Sequence, residues 1–234
     1  MSNQYFDFKR FRIEQDSCSM KVGTDGVLLG AWFPLEPGMS VLDIGTGTGL
    51  IALMAMQRGA GSVTAVEIDP DAAAQAARNV ANSEWADKIK VVNADIAHFT
   101  VGSKYDRIVC NPPYFRDSLR CPDAGRNAAR HNDSLSYETL ARCSAALFAP
   151  DGLLCLVLPS DYVDVFAKCS ALVGLYMSRR TDVVTAPGKL PKRSLVTFGK
   201  QCVELQKELL AMSGPDGNET AEYVELVKDF YLKY

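Results

Sequence analysis

The chain reads as an α/β protein with an open, mostly parallel sheet and helices on both faces, and three observations predict this. Short apolar runs bounded by turn residues alternate with longer stretches of helical periodicity. One run, Val41-Leu42-Asp43-Ile44, leads into the glycine-rich turn Gly45-Thr46-Gly47-Thr48-Gly49 and then into the apolar stretch Leu50 to Met56, which suits a helix. A later run, Tyr105 to Cys110, ends on Asn111-Pro112-Pro113-Tyr114. In open α/β sheets the carboxyl ends of the strands face one crevice, so both segments are expected at its edge.

Taken in order, Phe6, Phe8, Phe11 and Ile13, with Lys9, Arg10 and Arg12 among them, suggest a short extended segment with aromatic contacts to a core. Thr24 or Asp25 can cap a helix through Gly26 to Trp32, which Pro34 and Pro37-Gly38 terminate. A strand at 41–45 and a helix near 49–58 follow. After a strand at 63–67, Asp69-Pro70 has the form of an N-cap with proline in the first turn, opening an alanine-rich helix to about Asn82. Strands at 89–92 and 105–110 come next, then a long polar stretch from about 115 to 133, a length usually reserved for function. A helix over 136–148, a turn at Pro150-Asp151-Gly152 and a buried strand at 153–158 follow. Ser160 can cap a helix from Asp161 to about Val173. Two strands, 175–184 and 194–203, close the sheet as antiparallel neighbours. That makes seven strands, the last of them antiparallel. Residues 213–219 read as a polar hinge before a helix over 220–233, whose Tyr223, Leu226, Val227, Phe230 and Tyr231 recur at helical spacing and are expected to pack on the core.

At 234 residues and 47% hydrophobic, the chain can build one large α/β domain with a full core. The expected division is a single domain over 1–234: an N-terminal flap at 1–38, a core at 39–203 and a helical tail at 204–234. No signal pattern opens the chain, and the apolar runs are strand-sized, far below the roughly 20 residues that span a bilayer. A soluble, cytoplasmic protein with no membrane association is expected. The cysteine count is odd at seven, without a Cys-x-x-Cys pair, and there are only two histidines, so no metal site is expected and most cysteines should be buried thiols. Net charge is −3, which at first argues against nucleic acid. Residues 201–234, however, hold three lysines against seven acids, and elsewhere positive charge clusters: Arg116, Arg120, Arg126, Arg130 and His131 after the Asn-Pro-Pro-Tyr segment, and Arg179, Arg180, Lys189, Lys192 and Arg193 later. Such patches can steer an RNA even when the total is slightly acidic.

The chemistry follows from residue types. Proline lacks an N–H and fixes φ, so the carbonyls of Asn111 and Pro112 sit stiffly in a donor-poor turn, next to the side-chain amide of Asn111 and the ring of Tyr114. An acceptor-rich mouth beside a flat ring suits a planar substrate with an NH2 group: adenine, cytosine or a carboxamide. A plain Pro-Pro turn is the bland alternative. The glycine loop lacks the last glycine of Gly-x-Gly-x-x-Gly, since position 50 is leucine, and Asp43 would repel a pyrophosphate. A cation fits Asp43 better. Glu67, twenty residues past Gly47, can accept from both hydroxyls of a ribose, and Asp95 can meet an adenine amino group. S-adenosylmethionine carries a sulfonium, an ammonium, a ribose and an adenine, and no phosphate.

These segments resemble class I S-adenosylmethionine-dependent methyltransferases, which implies a Rossmann-like core. Asp43-x-Gly45-x-Gly47-x-Gly49 is similar to their cofactor loop, Glu67 to their ribose-binding acid, Asp95 to their adenine-binding residue, and Asn111-Pro112-Pro113-Tyr114 to their amino-methylating motif. The flanks are more specific. Phe8-Lys9-Arg10-Phe11, Met20-Lys21-Val22-Gly23-Thr24-Asp25-Gly26, Ala129-Arg130-His131, Pro191-Lys192-Arg193 and Asp229-Phe230-Tyr231-Leu232-Lys233 resemble the bacterial tRNA1(Val) (adenine-N6)-methyltransferases over nearly the whole chain. The resemblance implies methylation of adenine N6 in a tRNA anticodon loop, with no obligate protein partner. It also implies cofactor contacts from Thr46, Ile68 and Ile96 beside the residues above, and a flap from Lys21 and Thr24 over the methionine end. Arg126, Arg130, His131, Lys192 and Arg193 are the candidates for the RNA backbone.

Three rivals share parts of this pattern. A protein glutamine N5-methyltransferase would present a carboxamide to the same motif, but usually carries a helical N-terminal domain that the 40 or so residues before the glycine loop do not resemble. An rRNA or DNA amino-methyltransferase would need base-recognition modules not evident here. A cofactor- or RNA-binding protein without catalysis would not need both motifs intact.

Overall fold

The computed structural model describes residues 3–17, 21–112 and 135–234. A two-stranded antiparallel hairpin, β1 (Tyr5–Asp7) and β2 (Arg12–Glu14), comes first, followed by α1 (Thr24–Trp32). Then β3 (Ser40–Ile44), α2 (Leu50–Gln57), β4 (Ser62–Glu67), α3 (Pro70–Ala81) and β5 (Ile89–Asn93) alternate. The chain continues through β6 (Tyr105–Cys110), α4 (Tyr137–Leu147), β7 (Phe148–Pro159), a 3-10 turn at Ser160–Tyr162, α5 (Val163–Ala171), β8 (Tyr176–Val184), β9 (Arg193–Gly199), β10 (Gln206–Ala211) and α6 (Ala221–Val227). The large sheet runs β10-β8-β9-β7-β6-β3-β4-β5, parallel except that β9 is antiparallel to both its neighbours. The expected class is thus observed, with an eighth strand on the outer edge.

Two apolar layers sandwich the sheet. One joins α1, α2 and α6 to the sheet through Leu28, Leu29, Leu53, Met54, Val157 and Val227; the other joins α4 and α5 through Leu140, Leu147, Val163, Phe166 and Phe198. Every residue from Leu50 to Met56 in α2 is buried, which suits a helix apolar on all sides. Each of the fully buried Leu42, Ile44 and Ile108 contributes roughly 1.5–3 kcal/mol relative to exposure. In α3 the caps are as expected: Asp69 accepts from the amides of Asp71 and Ala72, with Pro70 at the first position. Ser136 caps α4 through the Thr139 amide.

Several expectations are corrected. Residues 204–234 are not a helical tail: Gln206-Lys207-Glu208-Leu209-Leu210-Ala211 pairs in parallel with Arg179 to Val184. The 213–219 segment is a closed turn, with Ser213 bridging Glu219 and the Gly214 amide donating to the Asn218 carbonyl at 2.7 Å, rather than a hinge. The last helix stops at Val227, although Tyr223, Val227 and Phe230 are buried as the spacing implied. Neither Thr24 nor Asp25 caps α1; its N-cap is Gly23, which has no side chain to offer. Ser160 opens a 3-10 turn rather than α5. No described helix is long and apolar enough to cross a membrane.

Candidate active site

Strand order reverses between β3 and β6. β4 and β5 extend the sheet to one side of β3, while β6, β7 and the rest extend it to the other. Such a switch point leaves a crevice at the carboxyl ends of the strands. In register, Ile44 pairs with Cys110 on one side and with Val66 on the other. Gly45, Asn111 and Glu67 are therefore the next residues on three adjacent strands, and Glu67 in turn pairs with Asn93.

The glycine loop needs its glycines. Gly45, Gly47 and Gly49 have φ of +68°, +57° and +84°, a region costly for residues with a Cβ. The amides of Gly45 and Thr46 both reach the Val66 carbonyl, at 2.8 and 3.2 Å, which folds the loop back over β4. Glu67 fixes it further: its carboxylate accepts from the Gly47 amide at 2.8 Å and the Asp69 amide at 3.1 Å. Asn93 donates to the Glu67 and Ile68 carbonyls at 2.9 and 3.0 Å, holding that strand end in place. A Cβ at Gly45 would meet nothing within 4 Å, so the space beside it is open.

Asp43 lies fully buried beneath the loop. One carboxylate oxygen accepts from the Thr46 hydroxyl at 2.6 Å, and the other, Oδ1, has no partner in hydrogen-bond geometry among the described residues. Burial is the main cause that pushes its pKa up to about 7; the charge of Glu67 adds to it, while the Thr46 hydroxyl and the Ala52 amide oppose it. An acid buried here with no ion-pair partner among the described residues fits a cationic group at the loop.

The remaining candidates are distributed around this centre. Ile68 is 55% exposed, an apolar side chain left uncovered beside Glu67, whereas Ile96 is 6% exposed and its side chain packs into the core with Val66 and Tyr105. Asp95 accepts from the Ala97 amide at 2.8 Å and lies 3.1 Å from His98 Nδ1, capping the turn after β5. Lys21 is exposed; the adjacent Val22 amide donates to Gln15 at 2.8 Å, which ties this segment to the hairpin. Thr24 begins α1, and Gly26, two residues on, packs closely: a Cβ there would lie 3.1 Å from Leu50 and 3.9 Å from Asn111 Nδ2. Asn111 is partly buried and Pro112 buried. Pro113, Tyr114, Arg126, Arg130 and His131 lie outside the described residues. Lys192 is exposed on the β8–β9 turn, but Arg193 is not a free cation, since its Nε lies 2.7 Å from Asp25 Oδ1. Arg10, Arg12, Arg179 and Arg180 are likewise paired with acids, so the positive clusters they suggested are largely neutralised.

Two supporting residues escaped the sequence reading. Asn79 on α3 donates from its amide nitrogen to the carbonyls of Thr48 in the glycine loop and Glu14 in β2, and accepts from the Glu14 amide, each at 2.9 Å. Gln75, one turn earlier and fully buried, accepts from the Ser17 amide. Polar side chains four apart on the apolar face of an alanine-rich helix were the available signal.

A Rossmann-like sheet with this glycine loop, an acid at the end of the next strand and the sequence Asn-Pro-Pro-Tyr after β6 define a class I methyltransferase that uses S-adenosylmethionine. The family model for the methyltransferase small domain matches residues 19–134. The chain is 48% identical to the tRNA1(Val) (adenine(37)-N6)-methyltransferase of Bacteroides fragilis, with all of both chains covered. It is 40% identical to the protein of the same name from Yersinia enterocolitica, covering 98% of this chain and 93% of the relative. The chain belongs to the tRNA1(Val) (adenine(37)-N6)-methyltransferase family. Solved structures agree on the fold: a predicted O-methyltransferase from Agrobacterium tumefaciens superposes with a TM-score of 0.68 at 20% identity, over 88% of this chain and 96% of the other. A putative RNA methyltransferase from Pyrococcus horikoshii gives 0.54 at 22%, over 75% and 79%.

Proposed function

We propose that this protein transfers a methyl group from S-adenosylmethionine to N6 of adenine 37 in tRNA1(Val), acting as a single domain in the cytoplasm without an obligate protein partner. The observation that carries the reading is the register of β3 and β6. Ile44 opposes Cys110, so the glycine loop and Asn111 leave neighbouring strands at the switch point side by side.

When bound, S-adenosylmethionine supplies a methyl group on a sulfonium, activated without a metal or a covalent enzyme intermediate. The residues that would hold it are Lys21 and Thr24 at the methionine end, Asp43, Gly45, Thr46, Gly47 and Gly49 around the loop, Glu67 and Ile68 at the ribose, and Asp95 and Ile96 at the adenine. The protein's own task is alignment. An exocyclic adenine nitrogen is a poor nucleophile because its lone pair is delocalised into the ring. Asn111 Oδ1 and the Pro112 carbonyl each accept one N6–H, favour a pyramidal nitrogen and stabilise the positive charge that grows on it. Pro113, a residue type with a fixed φ and no N–H, is assigned to keeping those acceptors stiff. Tyr114 takes the stacking role, a contact worth about 1–3 kcal/mol per base in single-strand recognition. The proton leaves after transfer, because the methylated ammonium is strongly acidic, so no dedicated base is needed. The target base must leave its stack, which costs less in an anticodon loop than in a duplex. Arg126, Arg130, His131 and Lys192 are assigned to the RNA backbone.

Incubating the protein and S-adenosylmethionine with bulk tRNA, peptide release factor or DNA, followed by mass spectrometry of the products, tests this. N6-methyladenosine in tRNA1(Val) is the expected product. Methylguanosine, methylcytosine or methylglutamine instead would overturn the assignment.

A further inference from the structure

We propose that Arg193 is a positioning residue for Asn111: by pairing with Asp25 it holds the first turn of α1 as the wall behind the acceptor amide. The inference rests on the methyl-transfer reading above and deepens it.

The contact chain is short. Gly26, in the first turn of α1, stands beside Asn111: a Cβ built there would reach ordinary van der Waals distance of Asn111 Nδ2, 3.9 Å, and a tight 3.1 Å from Leu50. Asp25 is the neighbouring residue, and its Oδ1 lies 2.7 Å from Arg193 Nε, with side-chain exposures of 13% and 29%. Burial of Asp25 raises its pKa and the charge of Arg193 lowers it, as in a partly desolvated pair. Arg193 opens β9 in register with both Pro159 and Val183, the ends of β7 and β8. The next residue, Ser194, is fully buried and bonds both Asp182 and Ser160, and Arg180 donates to Asp182 at 2.8 Å. The guanidinium thus projects from a fixed frame.

The first turn of α1 needs such an anchor. Its N-cap is Gly23 and no side chain caps it, so the usual stabilisation of a helix start is missing. The other end is secured separately: Trp32 donates to Thr181 at 3.0 Å, and Arg58 donates to the Gly30 and Phe33 carbonyls at 2.9 and 2.8 Å. If Arg193 instead held an RNA phosphate, it would have to leave a partner it already touches. Lys192, one residue before, can take that role without such a cost.

The test compares Arg193→Gln, Asp25→Asn, the double variant and Arg193→Lys. Hydrogen exchange is read at Val27 and Leu28, whose helix acceptors lie in the first turn, with the Val27 amide donating to Gly23 at 3.3 Å. Both single variants should speed exchange there about tenfold or more, the double no further, with the amides of β3 and α2 unchanged; Arg193→Lys should restore most of the protection. With tRNA as substrate, Arg193→Gln and Asp25→Asn should lower kcat about tenfold with KM for tRNA within about twofold and an unchanged salt dependence. Unaltered exchange in the singles would overturn the proposal, whatever the wild-type protein does to RNA. So would a raised tRNA KM with a shallower salt slope for Arg193→Gln alone, beside a wild-type-like Asp25→Asn. Absence of tRNA methylation by the wild-type protein would instead count against the proposed function, leaving the exchange result to decide the anchor.

Discussion

Replacing Asp43 by asparagine should make the free protein more stable at alkaline pH and no more so in acid. The carboxyl is fully buried and its folded pKa stands near 7, against an ordinary value of 3.8. Below the ordinary value the carboxyl is protonated in both folded and unfolded chains, and nothing is lost. Between 3.8 and 7 the unfolded chain releases the proton while the folded one keeps it, so stability falls as pH rises; above about 7 both are ionised and the loss is complete. At 1.36 kcal/mol per unit, a shift from 3.8 to about 7 corresponds to a loss of up to about 4 kcal/mol. The amide introduced by Asp43→Asn does not ionise, and its carbonyl can still accept from the Thr46 hydroxyl. Urea unfolding of both proteins at about pH 4.5 and about pH 8 gives the variant's advantage at each pH, and the change in that advantage cancels any constant effect of the amide. An increase of several kcal/mol toward alkaline pH is expected, with weaker binding of S-adenosylmethionine by the variant. An advantage that stays within about 0.5 kcal/mol across the range would refute the account of Asp43 as a carboxylate whose charge the fold alone leaves uncompensated.

Asn111→Ala should slow methyl transfer by about 100-fold or more, the size of effect seen when one preorganised polar contact to a transition state is lost; single-turnover rates that remain within a few-fold of wild type would remove Asn111 from the mechanism. Gly30→Ala should destabilise the protein by roughly 1–3 kcal/mol, because the new Cβ would lie 2.6 Å from Met54 Sδ where α1 crosses α2. Combining it with Met54→Ala should give a smaller loss than the two single losses added, measured by urea unfolding; additivity would mean that the two side chains do not compete for the same space.

Much of the site was legible because its parts are local. Proline after Asp69, glycine at positive φ and an Asn-Pro-Pro run each announce a strand end or helix start within a few residues, and the β3–α2–β4–α3–β5 run follows those marks closely. What was not legible depends on partners far along the chain. Gln206 to Ala211 lacks β-branched residues, and its strand state comes from pairing with β8. Pro150-Asp151-Gly152 reads as a turn, yet these residues lie within β7, where the pairing with β6 jumps from Tyr105–Phe148 to Arg107–Leu153. Arg193 looked like an RNA contact because a basic tripeptide shows its charge but not its partner, and Asp25 is far away in sequence. The same holds for Asn79, whose amide serves two segments that helical spacing alone does not name.

The aromatic hairpin meets the segment just past α6: Phe8 bridges Tyr231, the Lys9 amide donates to the Phe230 carbonyl at 2.9 Å, and the rings of Phe6, Phe8, Phe11 and Tyr231 pack on one another. These partners lie far apart in sequence, so on a ribosome the hairpin emerges well before Phe230 and Tyr231 and stays uncovered until they have been made. Assembly of this part then runs against the direction of synthesis, with the hairpin seated only after residues near 230 are made and a long loop has been closed. Pulse-labelled refolding should show Ile13 gaining protection after Leu42 and Val66; simultaneous protection would mean that the hairpin docks without waiting for residues 221–234. Lys21 and Thr24, proposed above for the methionine end of the cofactor, come soon after that hairpin in sequence, so on that proposal their part of the site is among the last to take shape.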